Sequence, residues 1–223
     1  RRLVRRKPAA ADEVQWDPAS HELDDAVMAS ADAVVNLNGV GIGDKRWTED
    51  YKKLALTSRL DSTSTIVDAI TRESSKVRVL VNGSAVGWYG NRGDDILTEA
   101  DGHGDGFLAD LARQWEAAAT PAEAAGIRVV RVRTGIVLTP DGGALARMLP
   151  IFKLGAGGRL GSGKQWFPWI SLADEVAAIK FALTHDNVSG ALNLTSPNPV
   201  TNAEFTKALG RAVKRPAVAA VPP

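Results

Sequence analysis

VRVLVNGSAVGWYG, residues 77–90, is the stretch that decides the fold. Its first six residues form a nearly continuous, β-branched apolar run, the pattern of a strand buried on both faces of a parallel sheet. A polar turn with glycines follows at once. Upstream, AVVNL (33–37) runs into NLNGVGIG (36–43) in the same way, and downstream IRVVRV (127–132) runs into RTG (133–135). RLVR (2–5) reads as the end of a further strand. Between these runs lie helical stretches: a short one at 24–30, a long one at 48–73 with Leu54, Leu60, Ile66, Val67 and Ile70 as apolar positions, and one at 105–125 closed by Gly126. Strands alternating with amphipathic helices predict βαβ units around a parallel sheet.

After Thr134 the rhythm changes. GIVLTPDGG is turn-rich, LARMLPIFKLG predicts a short helix, and GAGGRLGSGKQWF is a glycine-rich loop with room for a hairpin. Ser171 caps a helix whose first turn carries Asp174 and Glu175 at the positive end of the dipole. ALNLT (191–195) reads as a strand. Thr201 with Glu204 has capping-box spacing, and AVAAVPP closes as an extended tail. The expected division is residues 1–135 as a sheet-forming domain and 136–223 as a mixed region.

Composition narrows the function. The chain has 223 residues, long enough to bury about 70% of its unfolded surface without staples. It has no cysteine, and His21, His103 and His185 show no ligand spacing, so no metal site is expected. With 27 basic and 26 acidic residues, and a basic cluster only in RRLVRRK (1–7), nucleic-acid binding is disfavoured. No apolar run approaches a bilayer's thickness and no signal peptide is visible, which points to a cytoplasmic protein with no membrane partner.

Four motifs carry candidate chemistry. Arg5 and Arg6 follow a strand where, in a dinucleotide fold, an acidic residue holds the NAD ribose and an arginine accepts the NADP 2′-phosphate. Gly39, Gly41 and Gly43 let backbone approach a ligand outside the carboxyl end of a strand. Ser84 and Tyr89 offer hydroxyls for a nicotinamide or a substrate carbonyl. Gly161, Gly163, Lys164 and Gln165, with Trp166 and Trp169 nearby, suit a phosphorylated or sugar-like ligand, although GSGK lacks P-loop spacing. Taken singly, each is also readable as a solvated end, a plain turn or a hairpin with core tryptophans.

Taken in order, NLNGVGIGDKRWTEDYKKLALTSR (36–59), NGSAVGWYG (82–90), FLADLARQWEAAA (107–119) and VRTGIVLTPDGGALARMLPIFKLGAGGRLGSGKQWFPWISLADEV (132–176) closely resemble the epimerase-family proteins of the atypical short-chain dehydrogenase/reductase superfamily, described as nucleoside-diphosphate-sugar epimerases. The resemblance implies an α/β, NAD(P)-binding Rossmann fold of the extended type, a doubly wound parallel sheet with a small C-terminal substrate lobe. It implies NADP, in preference to NAD, as cofactor. Arg5 and Arg6 match the residues after the second strand, and Leu37, Asn38 and Gly39 the turn beside adenosine and ribose. Ser84 matches the superfamily's serine, and Arg133, Thr134 and Gly135 the strand end beside nicotinamide and substrate. The implied reaction is hydride transfer at a carbinol or carbonyl of a small molecule, a nucleotide sugar being one candidate. A homodimer through the 48–73 and 105–125 helices is a further expectation.

Two departures stand out. The glycine-rich phosphate turn and first strand that would precede RRLVRR are absent, and the C-terminal lobe is short, so truncation at both ends is expected. The Tyr-x-x-x-Lys pair is also absent: Ala55 follows Tyr51 by four, Gly93 follows Tyr89 by four, and FLADLARQWE holds neither residue. Tyr89, Ser84 and His103, in that order, are the candidate proton donors. The lost pair leaves a non-catalytic NADP(H)-binding regulatory or scaffold protein as the alternative.

Overall fold

The computed structural model describes residues 1–221; Pro222 and Pro223, the end of the expected tail, lie outside the described residues. The chain divides into two compact units. The first comprises Arg1–Asn91, Glu99–Arg133 and Phe181–Leu192, the second Arg92–Thr98, Thr134–Lys180 and Asn193–Pro223.

In the first unit, β1 (Arg2–Val4) pairs in parallel with β2 (Glu13–Gln15), Arg2 facing Glu13. The central sheet holds β3 (Ala33–Asn36), β4 (Val79–Ala85), β5 (Arg128–Thr134) and β10 (Gly190–Leu194) in the order β10-β5-β4-β3. β3 lies parallel to β4, with Asn36 opposite Asn82. The fold is α/β with a parallel central sheet. β4 starts two residues later than its apolar run and continues through Gly83 and Ser84, which the sequence reading placed in the turn. The reason is packing: the Trp115 ring sits 2.7 Å from where a Gly83 Cβ would be, so only glycine continues the strand there. The turn proper is a 3-10 segment, Val86–Tyr89.

α1 (Asp25–Ala29) and α2 (Glu49–Ile70) pack beside the sheet. Thr48 caps α2 by accepting a hydrogen bond from the Tyr51 amide at 3.2 Å. Ile66, Val67 and Ile70 are buried with Trp16, Met28, Leu80 and Val129, each contributing about 1.5–3 kcal/mol by leaving water. Leu54 is exposed, contrary to expectation, because Tyr51 and Ala55 supply the buried positions of that turn. The single helix expected over 105–125 is two: α3 (Phe107–Ala118) and α4 (Thr120–Ala124). Pro121, lacking an amide hydrogen, suits the start of a helix and not its interior. Gly126 then takes φ +82°, the left-handed residue that ends α4.

β1 and β3 each keep one free edge, and both edges line one cavity of about 650 Å³ with Leu3, Val4, Val34, Val35 and Ile66. Arg5, just beyond β1, and Asn38 and Gly39, just beyond β3, line a common cleft, so the two strands point the same way.

The second unit is built from short pairs. β6 (Ile136–Leu138) runs parallel to β9 (Trp169–Ser171). The expected hairpin in the glycine-rich loop does not form: β7 (Gly158–Leu160) pairs in parallel with β12 (Ala219–Val221), and β8 (Trp166–Phe167) pairs antiparallel with β11 (Val200–Thr201). The tail is therefore a strand partner of β7. α5 (Gly143–Lys153) and α7 (Asn202–Ala212) close over Phe152, Phe205 and Leu209, with Phe167 stacked on Phe205 at 4.2 Å. Thr201 forms the full capping box with Glu204. α6 (Leu172–Thr184) is capped by Ser171, whose hydroxyl accepts the Asp174 amide at 3.0 Å. Among the described residues no helix is long and apolar enough to cross a membrane.

Candidate functional site

The two arginines after β1 have different fates. Arg6 donates twice to Glu13, at 2.7 Å each, and the Ala9 amide adds a third hydrogen bond at 2.8 Å. These bonds, the Arg6 pair first, pull the Glu13 carboxyl down to about 2. Arg6 thus holds the loop between β1 and β2 closed. Arg5 makes no side-chain hydrogen bond or salt bridge among the described residues, although its charge contributes to holding the Asp17 carboxyl down, and it lines a small cleft with Trp16, Asn38, Gly39, Ser58 and Ser62.

The turn after β3 is stitched to α2 from several sides. Ser58 accepts the Val40 amide at 3.2 Å, Arg59 donates to the Val40 carbonyl at 3.1 Å, and the Tyr51 hydroxyl donates to the Gly41 carbonyl at 2.6 Å. Gly39 has φ +153°, and a Cβ there would fall 2.8 Å from the Arg59 guanidinium, so glycine is required twice over. Arg59 lies over the Trp115 ring at 5.0 Å; its Nε is buried without a partner, and burial lowers its pKa.

Beneath the turn sits a wholly buried polar set. Asn36 donates to Asn82 at 2.8 Å and to Thr63 at 3.0 Å, Trp115 donates to Thr63 at 3.1 Å, and the Asn36 carbonyl oxygen accepts the Asn38 side chain at 3.1 Å. A satisfied buried network of this kind fixes one geometry, because any lost bond would leave a desolvated polar atom at about 1–3 kcal/mol. Asn38 is thereby held in place from below, while Leu37, Asn38 and Gly39 are all exposed.

A second buried network lies at the end of β4. Ser84 donates to Glu116 at 2.6 Å, and Arg133 grips the same carboxylate with two bonds, 2.8 and 3.0 Å. Arg133 also donates to the Tyr89 hydroxyl at 3.0 Å and stacks on Trp88 at 4.0 Å. Burial lowers the Arg133 pKa, but hydrogen bonds to Glu116 and Tyr89 outweigh it and the net shift is upward. Both hydroxyls expected to serve chemistry are therefore already engaged, Ser84 as donor and Tyr89 as acceptor. His103, the third candidate, is exposed, with Nδ1 2.9 Å from the Gly104 carbonyl oxygen and its ring edge-on to Trp88.

In the second unit, Thr134 donates to the buried Glu175 at 2.8 Å. Gly135 packs with its α-carbon against the Pro168 carbonyl, where a Cβ would come within 2.8 Å. The Gly161 carbonyl accepts Arg159, the Gly163 carbonyl accepts the Ala203 amide, and Gln165 donates to the Leu160 carbonyl. Lys164 is exposed, Trp169 donates to the Asn198 carbonyl, and Trp166 donates to Asp94. Trp166 is 44% exposed and not a core residue. Nothing in the sequence marks Arg59, Thr63 or Glu116 as functional, and Glu175 reads there only as a first-turn acid; burial is what distinguishes it. No group of three metal-ligating side chains is assembled among the described residues.

Residues 3–194 match the model of the NAD dependent epimerase/dehydratase family. The chain belongs to that family. An epimerase family protein of Mycobacterium bovis is 51% identical over 215 residues, covering 96% of this chain and 71% of the relative. The crystal structure of human epimerase family protein SDR39U1 with NADPH superposes with a TM-score of 0.87 at 36% identity, over 99% of this chain and 73% of that one. The nucleoside-diphosphate sugar epimerase of Corynebacterium glutamicum gives 0.80 at 34% identity, over 99% of this chain and 46% of that one. The α/β fold with its parallel central sheet matches the Rossmann type of these relatives.

Proposed function

We propose that this chain is the NADP(H)-binding body of an oxidoreductase or epimerase that transfers hydride at a carbinol or carbonyl of a small molecule, a nucleotide sugar being the leading class. The observation that carries the reading is the cleft at the ends of β1 and β3, which Arg5, with no side-chain hydrogen bond or salt bridge among the described residues, lines together with Asn38, Gly39 and Ser58. A planar guanidinium suits a 2′-phosphate, which it binds through paired charge-assisted hydrogen bonds. The NADPH carried by the human relative supports the same choice. Bound there, the cofactor supplies or accepts the hydride. Arg5 would hold the adenosine 2′-phosphate and Asn38 and Gly39 would present amide and backbone to the ribose, while Arg133, Thr134 and Gly135 stand at the end of β5. Gly161, Gly163, Lys164, Gln165 and Trp169 are the proposed substrate side.

A second reading, a non-catalytic NADP(H)-binding protein, is favoured by one observation: the Ser84 and Tyr89 hydroxyls are both held by the Glu116–Arg133 pair. Calorimetric titration with NADPH and NADH, on the chain alone and on the protein extended N-terminally, tests the cofactor assignment. Micromolar binding with preference for NADPH is expected of the extended protein; no preference would overturn the role of Arg5. Turnover lost in Tyr89→Phe would favour Tyr89 as the acid, and binding without turnover of any carbonyl would favour the second reading.

A further inference from the structure

Three carboxylates are buried among the described residues: Glu13, Glu116 and Glu175. Glu13 and Glu116 are each gripped by a guanidinium. Glu175 has none. Its Oε1 accepts the Thr134 hydroxyl at 2.8 Å, and its Oε2 is buried with no hydrogen-bond partner. A carboxylate in that condition is costly, since half its charge faces no donor. Burial pushes its pKa up, the Thr134 hydrogen bond opposes the shift, and no charged residue contributes to it. The first turn of α6, whose dipole favours an anion, does not cancel the burial. Thr134 is the last residue of β5, and the carboxyl ends of central strands are where ligands bind in open α/β sheets.

We propose that Glu175 takes up and returns a proton through the Thr134 hydroxyl, supplying the acid–base function that α3, with neither Tyr nor Lys, does not carry. The proposal rests on the oxidoreductase reading above. When a carbinol is oxidised, its C–H bond breaks and the hydrogen leaves with the electron pair as hydride to an oxidised nicotinamide. Its O–H proton passes to Thr134 Oγ1 as the Thr134 proton passes to Glu175 Oε1, leaving a carbonyl and a neutral Glu175. Reduction runs the same transfers backwards. Glu175 acts through Thr134 and is a positioning residue in this scheme; Thr134 alone meets the substrate.

Carbon-13 NMR of the cofactor-free protein reads the first half of the proposal. The Glu175 carboxyl should titrate above the ordinary glutamate value of 4.5, and Thr134→Val should move it further up by removing a bond that lowers it. An ordinary titration overturns the inference whatever the enzymology shows. The second half is read with NADPH and 9,10-phenanthrenequinone as carbonyl probe. Glu175→Gln, which keeps the shape and an acceptor for Thr134, should lower kcat by roughly tenfold or more with KM within about twofold. It should also abolish the fall in rate as pH rises through the Glu175 titration, and Glu175→Asp should restore part of both. Turnover with an unchanged pH profile in Glu175→Gln overturns the inference and leaves the oxidoreductase reading standing. NADPH binding with no reduction by the unmodified protein overturns that reading, and the proton relay with it.

Discussion

At the scale of single residues, Arg5 and Arg6 are neighbours in sequence and opposites in structure. Arg6→Ala should leave NADPH affinity within a few-fold, whereas Arg5→Ala should weaken it by about 10–100-fold, the loss of one or two charge-assisted bonds, with NADH little changed. Calorimetry on the two variants decides the matter, and equal effects would remove the distinction. Arg6 has its own signature in stability. Glu13 is held near 2 when folded and lies near 4.5 when free, so its native state binds its proton less tightly. Its stabilising effect is therefore complete above pH 4.5 and is lost as pH falls from there through about 2. Thermal melts between pH 6 and 2 should show that slope in the unmodified protein and a shallower one in Arg6→Ala.

At the scale of elements, α3 is tied to β5 by the Glu116–Arg133 ion pair and to β4 by the Ser84 hydroxyl on the same carboxylate. Glu116→Ala leaves Arg133 buried and unpaired, and a cost of about 3–5 kcal/mol is expected. Glu116→Gln, which keeps acceptors for Ser84 and Arg133, should cost distinctly less. Denaturant melts of the two give the comparison, and equal losses would mean that burial of the aliphatic stem, not the pairing, matters. Much of this level was legible in the sequence. The β-branched runs at 33–37, 77–82 and 127–132 and the caps at Ser171 and Thr201 are local signals, and the structure places strands and helix starts there to within two residues. β2 was not legible, because Glu13–Gln15 is only three residues long and owes its extension to pairing with β1. The hairpin expected around 158–167 was misread for the same reason: strand partners at 200–201 and 219–221 lie far away in the chain.

At the scale of the whole molecule, the slot between β1 and β3 is the feature with the largest consequence. Two parallel edges with unpaired backbone groups and an apolar lining are a template for one more strand. In the N-terminally extended protein, the amides on the free edge of β3 should exchange at least about tenfold more slowly than in the chain alone. Unchanged exchange would mean that no strand enters, and the phosphate turn would need another home.

By itself the sequence determined what depends on neighbours a few residues apart: strand runs, helix caps, glycines at strand ends, and the loss of the Tyr-x-x-x-Lys pair. It therefore settled the α/β class and pointed to the side of the sheet where a ligand belongs. Which arginine is free, which hydroxyls are held, and that Glu175 is buried beside Thr134 were decided by tertiary structure alone. Those properties are set by partners 7, 32, 41 or 44 residues away, and a charged or hydroxyl side chain looks the same in sequence whether it faces water or a buried counter-charge.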